Sequence, residues 1–367
     1  MYTNACQHDD LESAVTVPTR PEKRRLAVMA DVAQLAGVSY QTVSRVLHDS
    51  PHVRGDTRER VLAAIRELDY RPNSLARALV TGRSKTLGVV TFDTTLYGPA
   101  STLLGIEHAA HDAGYAVSIT SLRSLERDAV LAAVQQLRVQ GVDGVAVIAP
   151  VRAVADALRH VPSDFAVVAV EAGAPASIPV VTVDQRTGAA AATRHLLSLG
   201  HETVWHLAGP CEWKEADERI AGWRSALEEA GAAVPSLLRG DWTPRSGYAL
   251  GRALLDIPKL TAIFVANDQM ALGVLRRLRE AGREVPRDMS VVGFDDIPEA
   301  EYFAPPLTTI RQDFAELGRR CLRALLARID GESVALRVTV APELVVRDST
   351  GPAPRERGNG KAKKRDA

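Results

Sequence analysis

Residues 28–47 read VMADVAQLAGVSYQTVSRVL. Val28, Val32 and Leu35 recur at helical spacing with Ala33 and Ala36 beside them, which predicts a short helix with one apolar stripe. Gly37 stands where that helix has to stop, because a residue without Cβ enters the left-handed region at no steric cost. Ser39 suits the N-cap of a second helix. That helix turns Val43, Val46 and Leu47 inward and leaves Tyr40, Gln41, Ser44 and Arg45 on its outer face. Those four side chains carry donors and acceptors that suit base edges in a major groove. Two short helices around a tight turn, with a polar outer face on the second, form a helix-turn-helix pattern.

Outward from this stretch, a loop over 48–55 precedes a third helix. Asp56-Thr57-Arg58-Glu59 fits a capping box, and Val61, Leu62, Ile65 and Leu68 form the stripe that covers the first two helices. The result is an all-α head over 26–72, close to the lower size limit for independent folding. Charge separates it from the rest. Lys23 to Lys85 holds twelve Lys or Arg against six Asp or Glu, a net +6; the 367-residue chain is neutral, so the remainder carries −6. A basic head on an acidic body is the electrostatic footprint of nucleic-acid binding by one part only. Residues 1–25 are polar and aperiodic and read as a disordered extension.

The run DVAQLAGVSYQTVSRVL, with Tyr40-Gln41-Thr42 and Arg45, resembles the DNA-binding head of the LacI/GalR family of bacterial repressors. The resemblance implies a homodimer on a near-palindromic operator, with Tyr40, Gln41, Ser44 and Arg45 at the bases. It also gives a reading of residues 73–85. Leu75 to Val80 has helix formers over only about two turns, too few to be stable alone in water. In the family the matching segment is a hinge helix that folds on DNA beside its dimer mate. Carried over, Asn73 and Ala76 join the DNA contacts, and Leu79 matches the leucine that wedges into the minor groove.

From Leu87 the period changes. Apolar runs at Leu87 to Val90, Tyr115 to Ile119, Gly144 to Ile148, Phe165 to Val170 and Val180 to Val183 alternate with helical stretches at Leu103 to Ala113, Ala129 to Val139 and Val154 to Arg159. Near-continuous apolar strands between helices predict a parallel sheet covered on both faces. The pattern then repeats, with strands at Thr203 to Leu207, Ala262 to Val265 and Ser290 to Phe294. The helices of this half lie at Arg186 to Leu199, Arg219 to Ala230, Tyr248 to Leu255, Gln269 to Ala281 and Phe314 to Ile329. Crossings near Val183, Ile310 and Ala341 give a two-lobed α/β body over 86–348. Its N-lobe covers about 86–183 and 311–341, its C-lobe about 184–310 and 342–348. This body resembles the periplasmic-binding-protein-like effector domain of the same family. Residues 349–367, rich in Gly, Pro, Lys and Arg, read as a disordered tail without leucine heptads, so a dimer is the expected assembly.

Ligands of open α/β sheets bind outside the carboxyl ends of the strands. That rule alone selects Asp93, Glu171, Gly209-Pro210, Asn267-Asp268 and Asp295-Asp296. The resemblance adds roles. Asn267 and Asp295 match residues that contact sugar hydroxyls, Arg219 an arginine that grips hydroxyls in a fork, and Trp242 an aromatic that stacks on a pyranose. Gln312 and Phe314 match the interlobe crossing facing the cleft, and Leu96 joins the same wall. Plainer roles stay open: Asn267 and Asp268 also suit caps of the helix at Gln269, Asp295 suits an arginine pair, Trp242 suits a core, and Trp223 reads as core. Two positions depart from a well-known family member: Glu171 replaces aspartate, and Glu215, with Trp213 nearby, replaces serine. The implied effector is a small carbohydrate, a β-galactoside or β-glucoside; the other reading is a corepressor such as a purine.

Other classes fit poorly. The chain has no GxGxxG after a strand, no GxSxG elbow and no HExxH, so no enzyme and no cofactor are expected. Its three cysteines are far apart, without metal or disulfide spacing. No apolar run follows a basic N-terminus and none reaches the length of a membrane span, so the expected location is the cytoplasm, with no membrane partner.

Overall fold

The structure, a computed structural model, describes residues 27–47, 50–71, 82–124, 126–148, 151, 154, 157–171 and 177–354. The expected extension over 1–25 and the hinge contacts Asn73, Ala76 and Leu79 lie outside the described residues. The chain divides into two compact units, Met1–Thr81 and Gly82–Ala367.

In the first unit, α1 (Met29–Ala36), α2 (Tyr40–Leu47) and α3 (Gly55–Glu67) enclose one small core. Val32, Val43 and Val61 are fully buried there, with Ala33, Ala36, Val46, Ala64 and Tyr70 around them. Gly37 ends α1 at φ 63°. The Ser39 hydroxyl accepts the Thr42 N–H at 3.2 Å, capping α2 as its residue type suggests. Four local expectations fail. Val28, Leu35 and Leu62 are exposed. At 100° per residue the buried stripe of α1 is centred between Val32 and Ala33, which puts Leu35 on its flank. The capping box at Asp56 does not form, because α3 starts earlier, behind Arg54, whose side chain makes no cap. The carboxylate that does cap lies in α1, where Asp31 accepts the Val28 N–H at 2.8 Å.

The second unit holds two doubly wound sheets. In the N-lobe, β1 (Thr86–Phe92), β2 (Ala116–Leu122), β3 (Gly144–Ile148), β4 (Val167–Val170), β5 (Val180–Val183) and β11 (Arg337–Val340) lie parallel in the order β11-β5-β4-β3-β1-β2. The interior strands β3, β4 and β5 are buried along their whole length, as uninterrupted apolar runs require when both faces are covered. Helices α4 (Tyr97–Asp112) and α10 (Phe314–Ile329) cover one face and α5 (Arg127–Val139) the other. Helices α4 and α10 touch at glycines. A Cβ on Gly105 would lie 2.2 Å from the Phe314 carbonyl oxygen, so only glycine lets the two backbones approach this closely.

The C-lobe repeats the scheme. β6 (Trp205–Ala208), β7 (Leu238–Arg239), β8 (Ala262–Val265) and β9 (Ser290–Val292) run parallel in the order β7-β6-β8-β9. One face carries α6 (Gln185–Ser198) and α7 (Lys214–Glu229), the other α8 (Pro244–Leu255) and α9 (Asp268–Glu280). Each sheet reverses its winding beside its first strand, at β1/β3 and at β6/β8, the places where such folds take ligands. A short antiparallel pair, β10 (Thr309–Arg311) with β12 (Glu343–Val345), lies at two of the crossings.

The chain does not turn loose at Ser349. That residue is fully buried and its hydroxyl donates to the Val291 carbonyl at 2.6 Å. The Gly351 and Ala353 N–H groups then donate to Ser290 Oγ and the Leu199 carbonyl. The first residues of the expected tail are thus fastened beside β9 by backbone hydrogen bonds, which composition does not reveal.

Candidate functional site

A cavity, about 560 Å³ counting the space open to solvent, lies among the carboxyl ends of both sheets. All nine residues selected for an effector line it: Leu96, Glu171, Glu215, Arg219, Trp242, Asn267, Asp295, Gln312 and Phe314. Asp93, Asp268 and Asp296, selected by the strand-end rule, do not. Asp268 faces the core instead, accepting from the Ile297 N–H at 2.9 Å and the Thr309 hydroxyl at 2.6 Å. Asp296 pairs with Arg311 and Arg347, each at 2.7 Å.

Arg219, in the second turn of α7, is the hub. Its Nε donates to Gln185 Oε1 at 2.8 Å, Nη1 donates to the Ala266 carbonyl, and Nη2 stands 3.5 Å from Asp295 Oδ1. The guanidinium lies 3.8 Å from the Phe294 ring centroid, a cation on a π face. Gln312 Nε2 donates to Asp295 at 2.7 Å and its Oε1 accepts from Gln185 Nε2 at 2.9 Å. Residues from α6, α7, the end of β9 and the β10 crossing thus form one buried polar network. Burial raises the Asp295 carboxyl to about 6, against the opposing pull of Arg219 and Gln312.

Aromatic residues stand beside this network: the Arg219 guanidinium is 5.5 Å from the Trp242 ring centroid, and Trp242 belongs to the buried C-lobe core. Trp242 and Trp213 meet edge to face at 5.4 Å, and Trp213 also packs on Phe92 at 5.6 Å. Trp213 bridges to Val151, so this C-lobe residue touches the N-lobe twice. Trp242 has φ 72°, a conformation bulky residues avoid, and its carbonyl accepts from Asn267 Nδ2 at 3.0 Å. Its ring presses on Gly209, where a Cβ would come within 2.2 Å of the indole. Glu171 and Asp295 also have positive φ, at 58° and 115°. Three strained residues around one cavity mark a place where the fold holds side chains against local preference.

Asn267 combines a cap with a place on the cavity wall. It lines the cavity, and its Oδ1 caps α9 by accepting the Met270 N–H at 3.0 Å. Trp223 is core, fully buried with its indole N–H donating to the Val204 carbonyl at 2.8 Å. Glu171 accepts the Val183 N–H and the Thr182 hydroxyl, each at 2.9 Å. Glu215 is 7% exposed, and its Oε2 has no partner. Burial raises both carboxyls, Glu215 well above its ordinary range and with Glu171 as the second cause. Gln185 and Tyr97 also line the cavity and were not selected from sequence, although Gln185 lies two residues beyond β5, where the strand-end rule applies. Among the described residues no cluster of His, Cys, Asp or Glu suits a metal ion, and no helix is long and apolar enough to cross a membrane.

The head is a separate unit. Tyr40 is 58% exposed, Gln41 and Arg45 are exposed and Ser44 is half-buried, on the face of α2 opposite Val43 and Val46. A helix-turn-helix head joined to a two-lobed ligand-binding body defines a ligand-responsive DNA-binding regulator. The chain belongs to the LacI family of bacterial regulatory proteins, whose model matches residues 28–73, while a periplasmic-binding-protein-like domain matches residues 193–350. It is 37% identical to the lactose operon repressor of Escherichia coli K12 over 328 residues, covering 87% of this chain and 89% of that one. Among solved structures, the lac repressor dimer bound to operator and the anti-inducer ONPF superposes with a TM-score of 0.78 at 35% identity, covering 89% and 99% of the two chains. The complex of the regulator CelR with cellobiose gives a TM-score of 0.65 at 34% identity, covering 88% and 99%.

Proposed function

We propose that the chain is a transcriptional repressor that holds a near-palindromic operator as a cytoplasmic homodimer and releases it when a small uncharged sugar, a β-galactoside or β-glucoside, enters the cavity. One observation carries the effector half: an indole and a fork of polar groups line the same cavity. A pyranose has one apolar face and a rim of hydroxyls. Trp242 offers the first a surface, while Arg219, Asn267, Gln312, Asp295 and Glu171 offer the second donors and acceptors. Buried polar groups left unmatched are costly, so ligands lacking the right hydroxyls are rejected. The solved relatives that carry an operator and cellobiose support both halves.

On the DNA side, Tyr40, Gln41, Ser44 and Arg45 take the base edges, and Asn73, Ala76 and Leu79 follow from the family resemblance. Two heads set the half-site spacing. Release requires the sugar to bind the low-affinity arrangement of the dimer better, because only differential affinity shifts a population. The test is operator binding titrated with lactose, cellobiose, other disaccharides and the purines guanine and hypoxanthine. Weakened operator binding with a β-galactoside or β-glucoside is expected. Tighter operator binding with a purine, and no response to any sugar, would replace this reading by corepression.

The close contact at Gly209 supplies a sharper test. Gly209→Ala drives a methyl into the Trp242 ring and displaces the aromatic wall, so sugar binding measured by calorimetry should weaken by at least tenfold, with operator binding unchanged. Unchanged sugar affinity would remove Trp242 from the proposed site.

A further inference from the structure

The cavity wall carries four ionisable charges, and they do not balance. Among the described lining residues, Glu171, Glu215 and Asp295 are acidic and Arg219 alone is basic. Arg219 is committed to Asp295, Gln185 and the Ala266 carbonyl. Neither glutamate forms an ion pair among the described residues. Glu171 comes from the end of β4 and is used as an acceptor on both oxygens, by the Val183 N–H and the Thr182 hydroxyl. Glu215 comes from the first turn of α7, and its buried Oε2 accepts and donates nothing. Both acids line the cavity and also a smaller recess behind it.

The two buried carboxyls line the same cavity and the same recess, and the cation that acts on both, Arg219, is already paired with Asp295, so ionising both at once is costly. Arg219 and Lys214 pull against this cost, but burial and the neighbouring Glu171 outweigh them at Glu215. On its own helix Glu215 has Lys214, which turns to Glu218 at 3.9 Å, and Arg219. From the N-lobe it faces Glu171, and around the shared recess stand Asp184 and Arg337. Asp295 stands across the cavity. The N-terminus of α7 favours a carboxylate at Glu215, but burial beside Glu171 outweighs it.

We propose that Glu171 and Glu215 hold one proton between them, that Glu215 presents it as a hydroxyl donor to an oxygen of the ligand, and that the cavity therefore selects uncharged glycosides and refuses phosphorylated or carboxylated ones. This rests on the reading of the cavity as a sugar site and supplies the ligand's charge class. Glu171, with both oxygens engaged as acceptors, is the member that ionises. Glu215, with an unpartnered oxygen, is the member that donates. An anionic sugar meets three acids and one committed arginine, whereas a neutral sugar oxygen satisfies the unpartnered group. The protonated pair is the binding form, so affinity is full at low pH and is lost as pH rises through the titration of the pair.

Two measurements on the full chain separate this proposal from the sugar reading itself. The first needs no ligand. An infrared difference between wild type and Glu215→Gln at neutral pH should show a protonated-carboxyl stretch that is present in wild type and lost in the variant. The second is calorimetric titration of lactose and cellobiose from pH 5.5 to 9, with glucose 6-phosphate against glucose as the charge comparison. Wild type should take up as much as one proton on binding, with affinity falling toward about tenfold per pH unit above the titration. Glu215→Gln, whose amide still donates, should bind with a profile that is flat above pH 7, where Asp295 is already ionised, and the phosphorylated sugar should bind at least tenfold more weakly than its neutral partner. No carboxyl band, with sugar binding intact, would overturn the proton pair and leave the sugar reading standing. A band with no sugar binding at any pH would remove the sugar reading and with it the donor role of Glu215. Equal pH profiles for wild type and Glu215→Gln, or tighter binding of the phosphorylated sugar, would overturn the proposal directly.

Discussion

Arg219→Ala is expected to abolish the response to sugar while leaving operator binding within about twofold of wild type. The side chain is buried in the body, and the head has its own core around Val32, Val43 and Val61. Its loss removes the only cation among the described residues of the cavity wall and frees Asp295, Gln185 and Gln312 from a fixed arrangement. Hydrogen bonds to a charged group are worth about 1.5–3 kcal/mol each, so losing two from the ligand weakens it by a hundredfold or more. Asp295 limits the damage to folding. Burial has already raised its carboxyl to about 6, and without the arginine it takes a proton at neutral pH and stops being an unpaired buried charge. Calorimetry with the sugar that releases wild type reads the effect, and an unfolding midpoint checks the fold. Release of the operator at the wild-type sugar concentration would remove Arg219 from the effector site.

Arg45→Ala is expected to act on the other function and spare this one. Arg45 is exposed in the last turn of α2, beside Gln41 and across from the buried Val43 and Val46. A bidentate arginine on a base edge contributes about 1–3 kcal/mol of discrimination, and a dimer loses that twice. Operator affinity should therefore fall by at least tenfold, with a much smaller loss on random DNA, while sugar binding stays unchanged. Competition between operator and random duplex at fixed salt measures the ratio, because phosphate contacts respond to salt and base contacts set preference. An equal loss on both duplexes would place Arg45 on phosphates.

The two variants probe parts that differ in how openly the chain displays them. The ends of β3, β5 and β8 fall at the expected residues, because a strand covered on both faces is an uninterrupted apolar run bounded by polar residues. The interior helices are legible for the same reason at a different period. Strand β7, with two residues, and β10 and β12, with three each, leave too few positions for any period to show. Their pairing is non-local: Thr309 to Arg311 meets Val345 to Glu343 across more than thirty residues of intervening chain. Leu35 and Leu62 mislead in the other direction. Apolar residues on very short helices fit more than one stripe, and the packing of all three helices selects which stripe is buried.

The sequence by itself determined that this protein has a basic helix-turn-helix head, a body of two parallel α/β halves, and polar residues at the strand ends where a ligand would sit. Those are properties of spacing and composition, which are written along the chain. Only the tertiary structure decided what neighbouring residues do. Asn267 and Asp268 are adjacent and both polar, yet the backbone turn at the start of α9 sends the first to the cavity wall and the second into the core, to Thr309 and Ile297. The same holds for Glu171 and Glu215, unremarkable acids more than forty residues apart on different lobes. Their character as a buried pair exists only because the two lobes bring the end of β4 beside the start of α7, where low-dielectric surroundings and each other's charge set their chemistry.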